Sequence, residues 1–184
     1  MEDLFITGGE VALWRQLIVK AESEVQIDID EDLESYLVFL LMRLAHSSRI
    51  GEQYLALEYL KSRQLKSSQR RLVLRDIGDK CLIFAGLFPG LSARRRVELN
   101  YYIQLGQTAY DELAHLHLRL NKGLYGSLSQ QFIPLSKVLQ ATRNDFCLDL
   151  LQAYELQQST HGASWQGEPH GLTFNTDLDK KKLH

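Results

Sequence analysis

The stretch YDELAHLH, residues 110–117, sets Glu112 and His115 three apart, with Asp111 and His117 beside them. On a helix, positions i and i+3 share a face, so a carboxylate and an imidazole could reach one ion. A two-metal centre in a helical bundle needs a second Glu-x-x-His pair and two further carboxylates. That second pair is missing. The residues three before His46, His117, His161 and His170 are Arg43, Ala114, Gln158 and Gly167. Phase is adverse as well. The apolar stripe here is Tyr102, Leu105, Ala109, Leu113, Leu116 and Leu120, which leaves Glu112 and His115 on the far side with Thr108 and Arg119. A guanidinium one turn from His115 repels a cation. The pair therefore reads as a water-facing surface, and no metal is expected. A metal-dependent enzyme using Glu112 and His115 with Asp76 or Asp79 is the catalytic alternative.

No other catalytic set assembles. The chain has no Gly-x-Gly-x-x-Gly, no Gly-Lys-[Ser/Thr] phosphate loop and no nucleophile elbow, so no cofactor is expected. Cys81 and Cys147 each sit in an apolar helical pattern and read as small hydrophobes. They form no disulfide framework and no metal-binding spacing.

The more informative polar residue is Asp79, in LRDIGDKCLIFAGLF. Asp76 can pair with Lys80, and Arg75 with Asp79, at i,i+4. If Asp79 is buried it requires donors, for which Tyr101, Tyr102 and Tyr110 are the candidates. An Asp–Tyr network of this kind is structural, or it anchors a small-molecule or lipid-like ligand within the core. In the second case Phe39, Tyr54, Phe84, Tyr101, Tyr102 and Tyr110 would line the site.

The elements that must position these residues are helical. Leu13, Trp14, Leu17, Ile18 and Ala21 form a first stripe. A second helix starts near Asp30, with acids in its first turn, and carries Leu33, Tyr36, Leu37, Leu40, Leu41 and Leu44. Val38, Phe39 and Met42 widen that face almost to the full circumference, which predicts a central rod. A third helix over 51–65 carries Tyr54, Leu57 and Leu60, and a fourth spans about 68–88. Pro89-Gly90 stops it. A fifth covers about 97–120, ended by Gly123, with Tyr125-Gly126-Ser127 as a short connection. Segments 124–133 and 134–158 follow, with Pro134 in the first turn of the latter or at a kink. Gly78 and Gly86 on the fourth helix and Gly106 and Ala109 on the fifth predict a tight antiparallel pair. The fold class is all-α: a single-domain bundle of about six or seven helices over residues 1–158, with a loosely ordered C-terminal tail, 159–184, rich in Gly, Ser, Thr and His.

RDIGDKCLIFAGLFPG followed by RRRVELNYYIQLGQTAY resembles an uncharacterised family of helical bacterial proteins. The shared positions are Gly78-Asp79, Leu82, Gly86, Phe88, Tyr101-Tyr102, Gly106 and Ala109-Tyr110. QQFIPLSKVLQ resembles a later segment of that family. The resemblance covers about residues 70–154 and implies a helical bundle without carrying an activity.

A net charge of −2 on 184 residues gives no general pull toward nucleic acid or anionic membranes. Charge is nonetheless uneven. Residues 22–34 hold seven acids, and residues 61–75 are basic through Lys61, Arg63, Lys66, Arg70, Arg71 and Arg75. Arg94-Arg95-Arg96 adds a compact triplet. Nucleic acid is a poor reading, because Leu72, Val73 and Leu74 in the basic segment point to burial. The longest apolar run, Tyr36 to Met42, is far short of the roughly 20 residues of a membrane helix. The start MEDLFITGGE lacks the basic, apolar pattern of a secretory leader, so a cytoplasmic protein is expected. The expected function is a non-catalytic interaction or regulatory module. It would contact a protein partner, or a second copy, through Arg94, Arg95 and Arg96.

Overall fold

The structure, a computed structural model, describes residues 8–46, 55–89, 98–116 and 122–143, all of which fall in one compact unit, 1–148. The expected boundary at 158/159 and the tail lie outside the described residues. Seven helices account for the described chain, which forms an all-α bundle. They are α1 (Gly8–Val25), α2 (Glu31–His46), α3 (Leu55–Ser62), α4 (Ser67–Leu87), α5 (Leu99–Leu116), α6 (Lys122–Gln130) and α7 (Phe132–Thr142). None of the described helices is long and apolar enough to cross a membrane.

α1 and α2 form a hairpin. Gln26 closes α1 with φ of 54°, the left-handed conformation common just past a helix end. The Ile27 N–H returns to the Glu22 carbonyl at 3.1 Å. α2 begins where expected: the Asp30 carbonyl accepts from the Leu33 and Glu34 amides, both at 2.9 Å. Arg15 on α1 bonds Glu31 at 3.2 Å and also Glu34, joining the two helices across the acidic first turn.

The central rod is α4, not α2. Residues 77–79 and 81–88 are buried without a break, whereas Phe39 on α2 is 54% exposed. The run of apolar types misled because a helix packed on one side can still carry an aromatic outward. Leu13 of the expected α1 stripe is 68% exposed for the same reason. α3 is also rotated from the expected phase. Leu55 and Ser62 are buried, while Leu57 and Leu60 face water. Tyr54 lies outside the described residues.

α4 and α5 share the most extensive contact and run antiparallel. Gly78 lies against Tyr110, Cys81 against Gly106, and Phe84 against Tyr102, so the numbering falls on one helix as it rises on the other. Small residues make this possible. A Cβ built on Gly78 would lie 2.5 Å from the Tyr110 ring, and one on Gly106 would lie 2.9 Å from the Cys81 Cβ and collide with Phe132. Gly86 serves a different partner: its virtual Cβ meets Leu139 of α7 at 2.5 Å. The expectation that all the glycines line one seam is corrected accordingly. α4 has two neighbours that need room, α5 and α7.

The connection after α5 also differs. Gly123 does not terminate a helix, and Tyr125-Gly126-Ser127 is not a link; all lie inside α6. The break comes at Gln131, and Pro134 sits in the first turn of α7, where its missing N–H costs no helical bond. Ser129 Oγ donates to the Gln107 carbonyl at 2.9 Å, which ties α6 to α5 and pins Tyr125 over the α2–α5 seam.

Two alanine substitutions should separate packing from backbone preference. Gly106→Ala should destabilise by about 1–3 kcal/mol, because the added methyl overpacks a core held by Phe132 and Cys81. Gly126→Ala has nothing within 4 Å of the new carbon and should stabilise by about 1 kcal/mol through helix preference alone. Urea unfolding of the two variants beside the parent protein measures both.

Candidate functional site

Asp79 is the most demanding side chain in the bundle. It is buried on α4, and three side chains from two other helices converge on it. Tyr110 of α5 donates to Oδ1 at 2.8 Å, and Tyr36 of α2 donates to the same oxygen. Arg43, two turns along α2 from Tyr36, donates from Nη2 to Oδ2 at 2.6 Å. One carboxylate therefore ties α2, α4 and α5 together. The tyrosine rings form a further cluster. Tyr125 of α6 stacks on Tyr110 with centroids 6.3 Å apart and meets Tyr36 edge-on at 6.5 Å.

Burial pushes the Asp79 carboxyl above the ordinary carboxylate range, against the opposing pull of the Arg43 guanidinium and the two hydroxyls. It also holds the Tyr36 and Tyr110 phenols well above their usual values, with the Asp79 charge acting in the same direction. Both hydroxyls thus stay protonated and available as donors.

Of the sequence-expected donors, the structure brings only Tyr110 to Asp79 among the bonds it shows. Tyr101 instead accepts the Ala56 N–H at 3.1 Å at the foot of α3, and the Tyr102 ring packs on Phe84 at 5.2 Å. Arg75 is not among the residues that bond Asp79, so the expected i,i+4 pair does not form. The companion pair Asp76–Lys80 forms at 2.6 Å. Tyr36 reads from the sequence as part of the apolar stripe and Arg43 as no partner of Asp79, although the two are seven residues apart and so on one face of α2. Their signal is two hydrogen-bonding groups at helical spacing along the apolar stretch of α2.

Glu112 does not face open water as expected. It is three-quarters buried, with Tyr59 of α3 donating to one oxygen and Arg70 of α4 to the other. The reason is the rotation of α3, which turns Tyr59 inward. His115 is exposed, with Nδ1 2.7 Å from the Asp111 carbonyl. A carboxylate already shared by a guanidinium and a phenol is a poor ligand for a cation, and among the described residues no group of three potential ligands forms. Cys81 is a buried free thiol, and burial raises its pKa far beyond the reactive range. Arg94, Arg95, Arg96, His117 and Cys147 lie outside the described residues.

The chain matches no family model, no curated protein and no solved structure. The geometry alone must therefore carry the functional reading.

Removing the cation should reveal the carboxylate. Arg43→Met should destabilise by about 1–3 kcal/mol near neutral pH, a range that allows for the half-exposed guanidinium. The sign of the pH dependence follows from the raised Asp79 value. A carboxyl that holds its proton more tightly when folded favours folding in acid, and that contribution is lost as pH rises through the folded value. Loss of Arg43 raises that value further, so the penalty should shrink as the solution is acidified toward the ordinary Asp range. Denaturant unfolding of both proteins across pH 4–7 checks the trend.

Proposed function

We propose that the protein acts by surface contact rather than catalysis, and that the corner formed by α3 and the start of α4 is its docking face for an acidic amphipathic helix of a protein partner. One observation supports this most. α3 turns its leucines outward: Leu57 is 46% and Leu60 55% exposed, while Leu55, Tyr59 and Ser62 face the bundle. A short helix that turns a half-buried tyrosine and a buried serine inward while two leucines stay outward keeps apolar surface for something else.

Charge narrows what that partner is. Lys61, Arg63 and Lys66 are exposed around the same corner, and Leu65 lies between them. Leucines at i,i+3 rimmed by cations complement a helix with apolar anchors flanked by carboxylates. The corner is also preorganised, because Glu112 holds both Tyr59 and Arg70 from α5. Rigidity of this kind lowers the ordering cost of association. We take the setting to be a reducing bacterial cytoplasm, with which the buried free thiol of Cys81 is compatible. The Arg94–Arg96 triplet remains a second contact element of this reading. A core ligand anchored on Asp79 is less well supported, since both carboxylate oxygens already have donors from the protein.

A photo-cross-linking residue at Leu60, with a control at exposed Gln130, tests the proposal in cell extract. The expected result is a discrete adduct from position 60 alone, whose cross-linked peptide is acidic with apolar residues at helical spacing. Leu57→Ser with Leu60→Ser should abolish the adduct while changing stability by no more than about 0.5 kcal/mol. No adduct at position 60, or an adduct to a basic segment, would overturn the docking assignment.

A further inference from the structure

The α3–α4 corner finds its complement in the chain itself. Lys61, Arg63 and Lys66 are exposed there, and none of them enters an ion pair among the described residues. They stand close together because the backbone keeps winding past the end of α3. The Arg63, Gln64 and Leu65 amides return to the Leu60, Lys61 and Ser62 carbonyls at 3.3, 3.1 and 3.0 Å, and the Arg70 amide returns to the Lys66 carbonyl at 2.9 Å. The opposite charge collects where α1 joins α2. Glu24, Asp28, Asp30, Glu31 and Asp32 are exposed there. Lys20 pairs with Glu24 at 3.8 Å and Arg15 with Glu31 at 3.2 Å, which leaves Asp28, Asp30 and Asp32 without a cation among the described residues. The joint is held in shape, since the Ile29 N–H donates to the Glu22 carboxylate at 3.2 Å. Val25 and Ile27, both partly exposed, lie among these acids.

Within one copy the two patches do not meet. α3 packs on α4 and reaches α5 through Tyr59, whereas α1 packs on α2 and α7. No ion pair joins residues 24–32 to residues 61–66 among the described residues. From this we infer that the occupant of the α3–α4 corner is a second copy of this chain, which presents the acidic joint of its α1 and α2. The inference rests on the docking face proposed above and names its partner. The last turn of α1 and the first turn of α2 supply the acidic helical element. Val25 and Ile27 meet Leu57, Leu60 and Leu65, and the aspartates meet Lys61, Arg63 and Lys66. Exposed charges of this kind steer and orient the encounter, while the apolar contact supplies most of the affinity. A net charge of only −2 leaves little general repulsion between copies. The contact joins two different patches, so every copy carries both halves of it.

Sedimentation of the purified full-length chain tests this. The average mass should climb from the 21.2 kDa of one chain as concentration rises in dilute salt. It should return to that value at about 0.5 M salt, where charges are screened within roughly 4 Å. Lys61→Glu with Lys66→Glu should stay monomeric, and so should Asp28→Lys with Asp32→Lys, each with the circular dichroism of the parent. Mixing these two variants should restore association, because each supplies the charge that the other now needs. If charge reversal unfolds the α1–α2 joint, Asp28→Asn with Asp32→Asn replaces it, and mixing should then give a pair and nothing larger. A photo-cross-linking residue at Leu60 in the purified protein should yield a covalent dimer linked within residues 24–32. A parent protein that is monomeric at every concentration, a mixture of folded variants that stays monomeric, or a link outside 24–32 overturns the inference. If position 60 still captures an acidic helix in cell extract, the docking face stands and only the second copy as its occupant falls. Loss of that adduct as well removes the docking face itself.

Discussion

The bundle is organised by the need to bury one carboxylate. An ionised aspartate inside a helical core is strongly disfavoured unless donors surround it. Asp79 meets that requirement from three directions, and each donor comes with its own structural consequence. Tyr36 and Arg43 fix the rotation of α2. Tyr110 fixes the height of α5 against α4. None of the three can turn away without leaving a buried polar group unsatisfied, so a small number of hydrogen bonds constrains the orientation of the long helices. An apolar contact in the same place would hold the helices together but would tolerate sliding.

The glycines follow from the same constraint. Tyr110 can reach Asp79 only if its ring lies flat against α4, and Gly78 is the residue that leaves space for it. Gly106 gives similar room to Phe132, whose ring meets Tyr110 at 6.1 Å on the other side. The clasp, the ring stack and the glycine seats are thus one assembly. Its outer edge is where arginine meets solvent. A second carboxylate on α5, Glu112, holds Tyr59 and Arg70 and so fixes the rotation of α3, with Leu57 and Leu60 outward.

Much of this was legible in the residues. Helical period, the start of α2 after Asp30, the stop before Pro89 and the tight antiparallel seam follow from local pattern, whereas Tyr110 was one of three tyrosines that pattern offered to Asp79. What escaped was rotation. Leu57, Leu60, Phe39 and Leu13 read as core by type, yet side-chain type does not say which face of a short helix meets its neighbours. That is settled by polar groups at long range, such as Tyr59 seeking Glu112 fifty-three residues away. The two donors on α2 were hidden for the same reason, since nothing near Arg43 in sequence announces Asp79. Gly123 and Gly126 misled differently: within α6 they occupy open space, and the helix tolerates them because its neighbours hold it.

The titration of the Asp79 carboxyl, followed by carbon-13 resonances of the intact protein, tests the central claim most directly. The account requires a midpoint above the ordinary aspartate value near 4, with the Tyr36 and Tyr110 ring signals moving in the same pH window. A midpoint at the ordinary value, with no response from either tyrosine, would mean that the carboxylate sits in water and that the clasp does not exist.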